Sequence, residues 1–185
     1  MIGYCFCGSF CTVSKSLGIM RNLAAEGNAL LPIMNESVYS TDTRFGKATD
    51  TVRTVEDICK TSVIHTIVDA EPLGPDIALD MLVVAPCTGN TLAKLAAGIT
   101  DSPVTMAVKA QLRCNHPVVI ALATNDALSA NLKNIGLLMS RKNIYFVPMK
   151  QDDPQKKPYS LVCDFDMLKP TMLSAFAGRQ IMPIF

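Results

Sequence analysis

Short apolar runs separated by mixed polar segments dominate the pattern of this chain. The clearest runs are IGYCF (2–6), MLVVA (81–85) and PVVIALA (117–123). A strand buried on both faces has this pattern, which is typical of a parallel sheet covered by helices. Further strands are predicted in NALLPIM (28–34), SVIHTIV (62–68) and IYFVPM (144–149).

The segments between these runs carry apolar side chains every three or four residues, which predicts amphipathic helices. The first helix places Leu17, Met20, Leu23 and Ala24 at this spacing. Gly27 is a natural C-cap for that helix, and Asp50 is a plausible N-cap for a helix over residues 50–60. Further helices are predicted over residues 90–98, 102–115, 125–143 and 165–177.

Strands and helices therefore alternate along the whole chain, and no linker or repeat divides it. We expect residues 1–185 to form a single α/β domain. Its predicted architecture is a three-layer sandwich with a mostly parallel, flavodoxin-like (Rossmann-like) sheet and right-handed crossovers.

Composition removes several classes of function. The chain is 49% hydrophobic and 18% charged, which is opposite to the balance of a disordered chain. A net charge of +1 gives no electrostatic basis for binding nucleic acid or an acidic membrane surface. No apolar stretch reaches the ~18 residues of a membrane helix, and the first residues lack a basic signal-peptide region. These features predict a cytoplasmic protein.

The cysteine count argues against a disulfide framework, because seven is odd and the predicted compartment is reducing. Cys5, Cys7 and Cys11 lie close together in the sequence, so a metal site is one interpretation. Packing in the core is the other, and we favour it because Cys5 and Cys7 share one face of a buried strand. His65 and His116 are isolated, and no metal site is predicted.

Three polar segments follow predicted strands, namely CGSFCT (7–12), PCTGNT (86–91) and ATNDAL (123–128). In open α/β sheets, ligands bind beyond the carboxyl ends of the strands. Helix N-termini at these positions favour anions, because their N–H groups are free and the helix dipole is positive there. Each segment alone could also be an ordinary turn with a helix cap. Together, three polar strand ends favour one shared site.

Taken together, these segments resemble the homo-oligomeric flavin-containing cysteine decarboxylases, a superfamily that includes phosphopantothenoylcysteine decarboxylase and the flavin prenyltransferases. The specific match is the segment PCTGNTLAK (86–94), which in that superfamily binds the phosphate and ribityl chain of FMN. The residues that the resemblance assigns to a flavin pocket are Gly8, Ser9, Ser37, Thr88, Gly89, Asn90, Thr91 and Asn125.

One branch is more similar still. The segments STDTRFG (40–46), AEPLGP (70–75) and KNIYFVPMKQDDPQKKP (142–158) resemble the family of dipicolinate synthase B subunits. The resemblance implies a B subunit that works with a nucleotide-binding A subunit carrying NADP. Together they would convert dihydrodipicolinate, a small dicarboxylate, into dipicolinate in the cytoplasm of a sporulating mother cell. It also implies a homo-oligomer and the possible cofactor FMN.

Departures from the superfamily pattern argue against cysteine decarboxylation. The decarboxylases carry a catalytic histidine shortly before the second apolar run, where residues 71–75 of this chain contain none. The flavin prenyltransferases have an arginine near the position of Thr124, a charge partner for phosphate that is missing here. Weak candidates for catalytic groups are Arg44, to pair with a substrate carboxylate, and Glu71, as a base. A surface ion pair for Arg44 and a structural turn for Glu71 are the alternatives.

Two other functions stay open from the sequence. The chain could be a stand-alone FMN-dependent decarboxylase or oxidoreductase, which the missing histidine disfavours. It could also be a non-catalytic subunit that has lost its flavin and binds the catalytic partner. The intact segment Thr88–Thr91 counts against that second alternative, although the same segment would also cap a helix.

Overall fold

The structure, a computed structural model, describes residues 1–185. Its strands are β1 (Ile2–Phe6), β2 (Leu30–Met34), β3 (Met81–Cys87), β4 (Val118–Thr124), β5 (Ile144–Phe146), β6 (Met149–Gln151) and β7 (Leu161–Cys163). Its helices are α1 (Phe10–Ala25), α2 (Glu36–Ser40), α3 (Ala48–Cys59), α4 (Ile67–Ala70), α5 (Gly89–Ala97), α6 (Pro103–Arg113), α7 (Leu132–Met139) and α8 (Leu168–Phe176). No helix is long and apolar enough to cross a membrane.

The strands form one sheet in the order β2-β1-β3-β4-β7-β6, and β5 also pairs with β4. The pairs among β1 to β5 are parallel, whereas β7 pairs antiparallel with both β4 and β6. The predicted α/β class with a mostly parallel, flavodoxin-like sheet is confirmed. The order 2-1-3-4-5 reverses direction between β1 and β3, and in such sheets this switch point is where ligands bind.

Burial on both faces explains why the central strands are continuous apolar runs in the sequence. Every residue of β1 and β3 is buried, and 50 buried residues form one continuous core cluster. Tyr4 of β1 is fully buried, and its hydroxyl lies 2.8 Å from the hydroxyl oxygen of Ser16 on α1. Ser16 in turn donates a 2.6 Å bond to the carbonyl of Ala85 on β3. This buried chain of hydrogen bonds joins three elements that carry the site, and burial raises the pKa of Tyr4.

Pro86 does not end β3, contrary to the expectation that an apolar run stops at proline. The strand continues to Cys87, and its register with β4 shifts between Val84 and Cys87. The Ala85–Pro86 peptide bond is cis. Proline is tolerated within a strand at such an irregularity, because no ladder bond from its nitrogen is required there.

The first residues of two helices also differ from the predictions. The predicted helix over residues 125–143 is shorter, because residues 125–131 form turns and α7 begins only at Leu132. The carboxylate of Asp126 accepts bonds from side chains on both sides of it, which fixes these turns. Helix α3 begins at Ala48, and its first N–H is bonded by Asp42 of the preceding loop rather than by Asp50.

The carboxyl-terminal part contains a β-hairpin that the apolar pattern does not predict. Strands β6 and β7 have three residues each, and Lys150 and Gln151 of β6 are exposed. Residues 152–160 connect the two strands and are referred to below as the hairpin loop. The predicted strand over 62–68 reduces to a bridge between Ile33 and Ile64.

Candidate functional site

A cleft of about 390 Å³ lies at the carboxyl ends of β1, β3 and β4. Its volume falls in the range of small-molecule sites, which is roughly 300–1,000 Å³. All three predicted polar segments contribute to its wall, together with residues of the 41–46 loop and of the hairpin loop. The structure therefore brings the three strand ends into one cavity.

The first wall of the cleft is the turn between β1 and α1. The N–H of Ser9 bonds to the carbonyl of Cys7 at 2.8 Å, and Thr12 bonds back to the carbonyl of Ser9. No side chain caps α1, so the N–H groups of Phe10 and Cys11 at its start stay free to meet a ligand, whereas the N–H of Thr12 bonds to the carbonyl of Ser9. A Cβ on Gly8 would lie 3.1 Å from the hydroxyl of Ser37, so the glycine lets that hydroxyl approach the turn.

The second wall is the N-terminus of α5. Thr88 is the N-cap, and its hydroxyl accepts the N–H of Thr91 at 3.2 Å. The N–H groups of Gly89 and Asn90 at this end have no partner within the helix. The positive end of the helix dipole adds to their attraction for an anion. We call Gly8, Ser9, Thr88, Gly89 and Asn90 the anion cradle.

The third wall is the segment after β4, residues 123–128, and Gly89 brings the α5 N-terminus close to it. A Cβ at this position would lie 2.4 Å from the hydroxyl of Thr124 and 2.6 Å from the side-chain nitrogen of Asn131. Both groups bind the carboxylate of Asp126, Thr124 at 2.6 Å and Asn131 at 2.9 Å. Only a residue without a side chain allows the α5 N-terminus to rest on this network.

The hydrogen bonds from Thr124 and then Asn131 hold the pKa of Asp126 below its usual range. The unfolded chain then binds a proton more readily than the folded one, so this carboxylate stabilises the fold at neutral pH. That contribution is lost as the pH falls from about 4, the usual carboxyl value, through the lowered pKa. We expect Asp126→Asn to flatten the acid limb of a plot of melting temperature against pH.

The matched control for this prediction is Asp57→Asn, because Asp57 is exposed on α3 and its carboxylate forms no ion pair. Its acid limb should follow that of the wild type. An unchanged acid limb in Asp126→Asn would show that the Thr124 and Asn131 bonds do not depend on the charge of Asp126.

A fourth part of the cleft wall is a tight turn at Thr43–Gly46, which we call the Arg44 turn. The N–H and carbonyl groups of Thr43 and Gly46 bond to each other at 3.0 and 3.1 Å. Arg44 and Phe45 occupy the tip, and the guanidinium carbon lies 4.8 Å from the centroid of the Phe45 ring. Both residues line the cleft, so Arg44 offers it a positive charge.

The hairpin loop closes the cleft on the side of β4. Asp152 and Lys157 form an ion pair of 2.5 Å there, and this partner raises the pKa of the lysine. Ser160 and Val162 also line the cavity. The sequence of this stretch predicts a solvated basic loop. The one feature that could have indicated a part of the site is the acidic pair at 152–153, shortly before two lysines.

Most of the predicted site residues meet in the cleft. The cavity wall includes Gly8, Ser9, Thr88, Gly89, Asn90, Asn125 and Arg44. Thr91 is buried and turns inward, where its hydroxyl receives a bond from Thr88. Ser37 lies behind Gly8 rather than in the wall. Glu71 is exposed after α4 and does not reach the cleft, and His65 stacks on Tyr39 at 3.7 Å, also outside it.

Most of the chain, including all three walls of the cleft, matches a known protein family. The model of the family described as Flavoprotein matches residues 7–175. The chain belongs to the flavoprotein family. Within that family it is 46% identical over 183 residues to the B subunit of dipicolinate synthase from Bacillus subtilis (strain 168), a match that covers 99% of this chain and 92% of the relative.

Solved structures of the family agree with this assignment. The crystal structure of the B subunit of dipicolinate synthase from Bacillus halodurans superposes with a TM-score of 0.90 at 42% identity, covering 99% of this chain and 94% of the other. The cysteine decarboxylase SpaF, described as FMN-dependent, superposes with a TM-score of 0.71 at 23% identity, covering 95% and 96% of the two chains. The second likeness concerns the fold alone.

Two cysteines lie directly beneath the anion cradle of this flavoprotein-family chain. Cys7 and Cys87 are fully buried at the ends of neighbouring strands, and Cys7 accepts a 3.6 Å bond from the amide of Asn35. The hydrogen bond that Cys87 donates to Cys7, together with burial, holds the pKa of Cys87 well above its usual range. Cys5 is equally buried, so the predicted core packing of Cys5 and Cys7 agrees with the structure.

Thiol reactivity should be confined to the surface, because four of the seven thiols are buried and two are only partly exposed. Cys11 is the exposed cysteine, whereas burial raises the pKa of Cys59 to about 11 and that of Cys163 to about 12. Because the thiolate is the reactive form, we expect an aromatic disulfide reagent to modify one thiol rapidly in the native protein. Cys11→Ser should remove that fast phase, while the control Cys59→Ser should retain it. A fast phase that persists in Cys11→Ser would contradict the prediction.

Proposed function

We propose that this chain is the B subunit of a dipicolinate synthase. It would bind FMN and act with a nucleotide-binding A subunit to convert dihydrodipicolinate into dipicolinate during sporulation. The observation that carries the proposal is the 46% identity, over 99% of the chain, to the B subunit from Bacillus subtilis. The cleft at the switch point of the sheet, with its intact anion cradle, supports a ligand-binding role in that complex.

The residues present fit the phosphate of FMN. The close approach of Gly89 to Thr124 and Asn131 holds the α5 N-terminus in the cleft wall, and the N–H groups of Gly89 and Asn90 have no partner within the helix. Ser9 and Thr88 add hydroxyl groups to the wall, and the carboxylate of Asp152, which also lines the cleft, is paired with Lys157. Asn125, at the end of β4, offers an amide to the rest of the flavin. We therefore assign FMN binding to the eight residues that the family resemblance indicates. Among them, Thr91 bonds to Thr88, and Ser37 lies next to Gly8 outside the cavity wall.

Bound FMN would supply a two-electron acceptor in the cleft. Oxidation of a dihydropyridine to an aromatic ring removes a hydride and a proton, and NADP would belong to the A subunit. In this chain, Arg44 would pair with a substrate carboxylate and so fix the ring against the anion cradle. The stacking of Arg44 on Phe45 orients its guanidinium for that contact. Glu71 lies outside the cleft, and we assign it no role.

The proposal includes a homo-oligomer in the cytoplasm of the mother cell. Apolar side chains on α8 and the carboxyl-terminal segment support it, because Leu173 is 63% exposed and Phe185 is 62% exposed. These exposed apolar side chains are available for contact with a second copy of the chain.

Reconstitution tests the proposal. The A and B subunits are co-expressed, and the formation of dipicolinate is followed by its ultraviolet absorbance. We expect full activity with wild type and strongly reduced activity with Thr88→Val/Asn90→Leu, which removes polar groups from the anion cradle. The matched control is Thr61→Val/Asn22→Leu, the same two exchanges at exposed positions outside the cleft.

Two outcomes would refute the proposal. Full activity of the A subunit alone would show that this chain is not required for the reaction. Wild-type activity in the Thr88→Val/Asn90→Leu variant would show that the cleft is not used, and would favour a non-catalytic, partner-binding role. Flavin absorbance of the purified chain reports separately on FMN.

A further inference from the structure

A second cavity of about 160 Å³ adjoins the cleft, and we call it the side pocket. It lies between α1 and the segment 41–51. Val13 and Leu17 of α1, Val38 of α2 and Ala48 of α3 form its walls. Three of these four, all except Leu17, are at least nine-tenths buried, and no ionisable side chain lines the space. Hydroxyl-bearing residues complete the lining, so the side pocket is an uncharged compartment with apolar and hydroxyl groups in its wall; they are Ser14, Thr41, Thr43 and Thr51.

Two phenylalanines line the side pocket and the cleft at once. They are Phe10, at the start of α1, and Phe45, at the tip of the Arg44 turn. Arg44 lines the cleft only, so its charge lies on the polar side of this shared boundary. A ligand that crosses the boundary would have an apolar part between two aromatic rings and a polar part next to a guanidinium.

The size of the side pocket restricts what can enter it. An apolar cavity of about 150 Å³ in another protein accommodates benzene, so a volume of 160 Å³ suits a single six-membered ring. The three fused rings of a flavin are too large for it. Burying a carboxylate in this uncharged space would be costly, so charged substituents must stay outside.

We propose that the side pocket seats the apolar edge of a six-membered ring whose opposite edge carries two carboxylates. In a pyridine-2,6-dicarboxylate or its dihydro form, carbons 3, 4 and 5 form the apolar edge, and the nitrogen lies between the carboxylates on the other. Carbon 4 enters the side pocket between Phe10 and Phe45. The carboxylates remain in the cleft, where Arg44 pairs with one of them. This inference rests on the proposed function and assigns the substrate ring to this chain.

Ligand substitution tests the orientation without altering the protein. The wild-type full-length chain is titrated calorimetrically with dipicolinate, with benzene-1,3-dicarboxylate and with 4-phenylpyridine-2,6-dicarboxylate. The benzene analogue has the same two edges and should bind within about tenfold of dipicolinate, a difference of no more than about 1.4 kcal/mol. The 4-phenyl compound should show no measurable binding, because its substituent occupies the enclosed edge.

Variants test the two sides of the boundary separately. Ala48→Met fills the side pocket, and Arg44→Gln removes the charge on the cleft side, so each should raise the Kd for dipicolinate by at least about tenfold. The matched controls are Ala25→Met and Arg21→Gln, the same exchanges at exposed positions of α1. Phe45→Ala, at a half-exposed position, tests the boundary without filling the buried space. It should also weaken binding, whereas FMN binding by Ala48→Met should match the wild type.

Equal binding of the 4-phenyl compound and dipicolinate would overturn the inference, as would a wild-type Kd in Ala48→Met. Absence of dipicolinate binding to a chain that is active in the reconstituted synthase would also overturn it while leaving the proposed function intact. If the chain shows the predicted binding pattern but does not support dipicolinate formation, the proposed function is refuted, whereas the ring-binding site in the side pocket is supported.

Discussion

Gly89→Ala should abolish binding of FMN at the anion cradle and lower the free energy of unfolding by about 1–3 kcal/mol, the usual cost of overpacking. The added Cβ would lie 2.4 Å from the Thr124 hydroxyl and 2.6 Å from the Asn131 amide, distances that no real Cβ contact tolerates. Either α5 moves away from β4 or the bonds to Asp126 break. The first response displaces the N–H groups of Gly89 and Asn90, and the second removes the network against which the α5 N-terminus packs. Flavin fluorescence titration and urea denaturation measure the two effects.

Gly136→Ala is the matched control, because Gly136 lies within α7 and has no atom within 4 Å of the added Cβ. This exchange should leave FMN binding unchanged and stabilise the protein by about 0.5–1 kcal/mol, since alanine favours a helix more than glycine does. Wild-type FMN affinity in Gly89→Ala would show that the close approach of α5 and β4 does not shape the site.

Phe6→Ala should produce the largest loss of stability, about 3–5 kcal/mol, as expected when a buried aromatic side chain leaves a cavity. Phe6 is fully buried at the end of β1, and its ring centroid lies 5.3 Å from that of Tyr4. The surrounding core belongs to rigid strands and cannot collapse into the space. Urea denaturation should show a lower midpoint with an unchanged slope.

Tyr159→Ala is the control for this prediction, because Tyr159 in the hairpin loop is also aromatic and is 58% exposed. Its effect should stay within about 0.5 kcal/mol, as for most surface substitutions. Equal losses in the two variants would mean that burial at β1 does not determine the stability of the fold.

The parallel part of the sheet was predictable because its strands are buried on both faces. Continuous apolar runs such as 81–85 have few other interpretations when helical spacing follows each of them. The hairpin of β6 and β7 was not predictable in this way. Its strands are three residues long and partly exposed, so they carry neither a continuous run nor an alternation. Tertiary pairing with the end of β4 creates them.

The candidate site likewise has a part that the sequence predicts and a part that it does not. The anion cradle follows from strand ends and helix starts, which local sequence marks with glycine and hydroxyl residues. Lys157 and Asp152 come from the hairpin loop, whose position over the cleft depends on an antiparallel pairing that the sequence does not predict. The segment 123–128 is predicted to be a helix-capping turn or part of a shared site. Within it, Asp126 supports the position of Gly89 through Thr124 and Asn131, and no local pattern predicts such a contact.

The buried hydrogen bonds from Tyr4 through Ser16 to Ala85 also determine which parts of the molecule can move. They tie β1, α1 and β3 together below the cleft, in a core where breaking a bond would leave polar groups unsatisfied. The two walls that hold the anion cradle thus form a rigid unit. Admission and release of a ligand are left to the Arg44 turn and the hairpin loop, whose tips are exposed and held mainly by bonds within themselves.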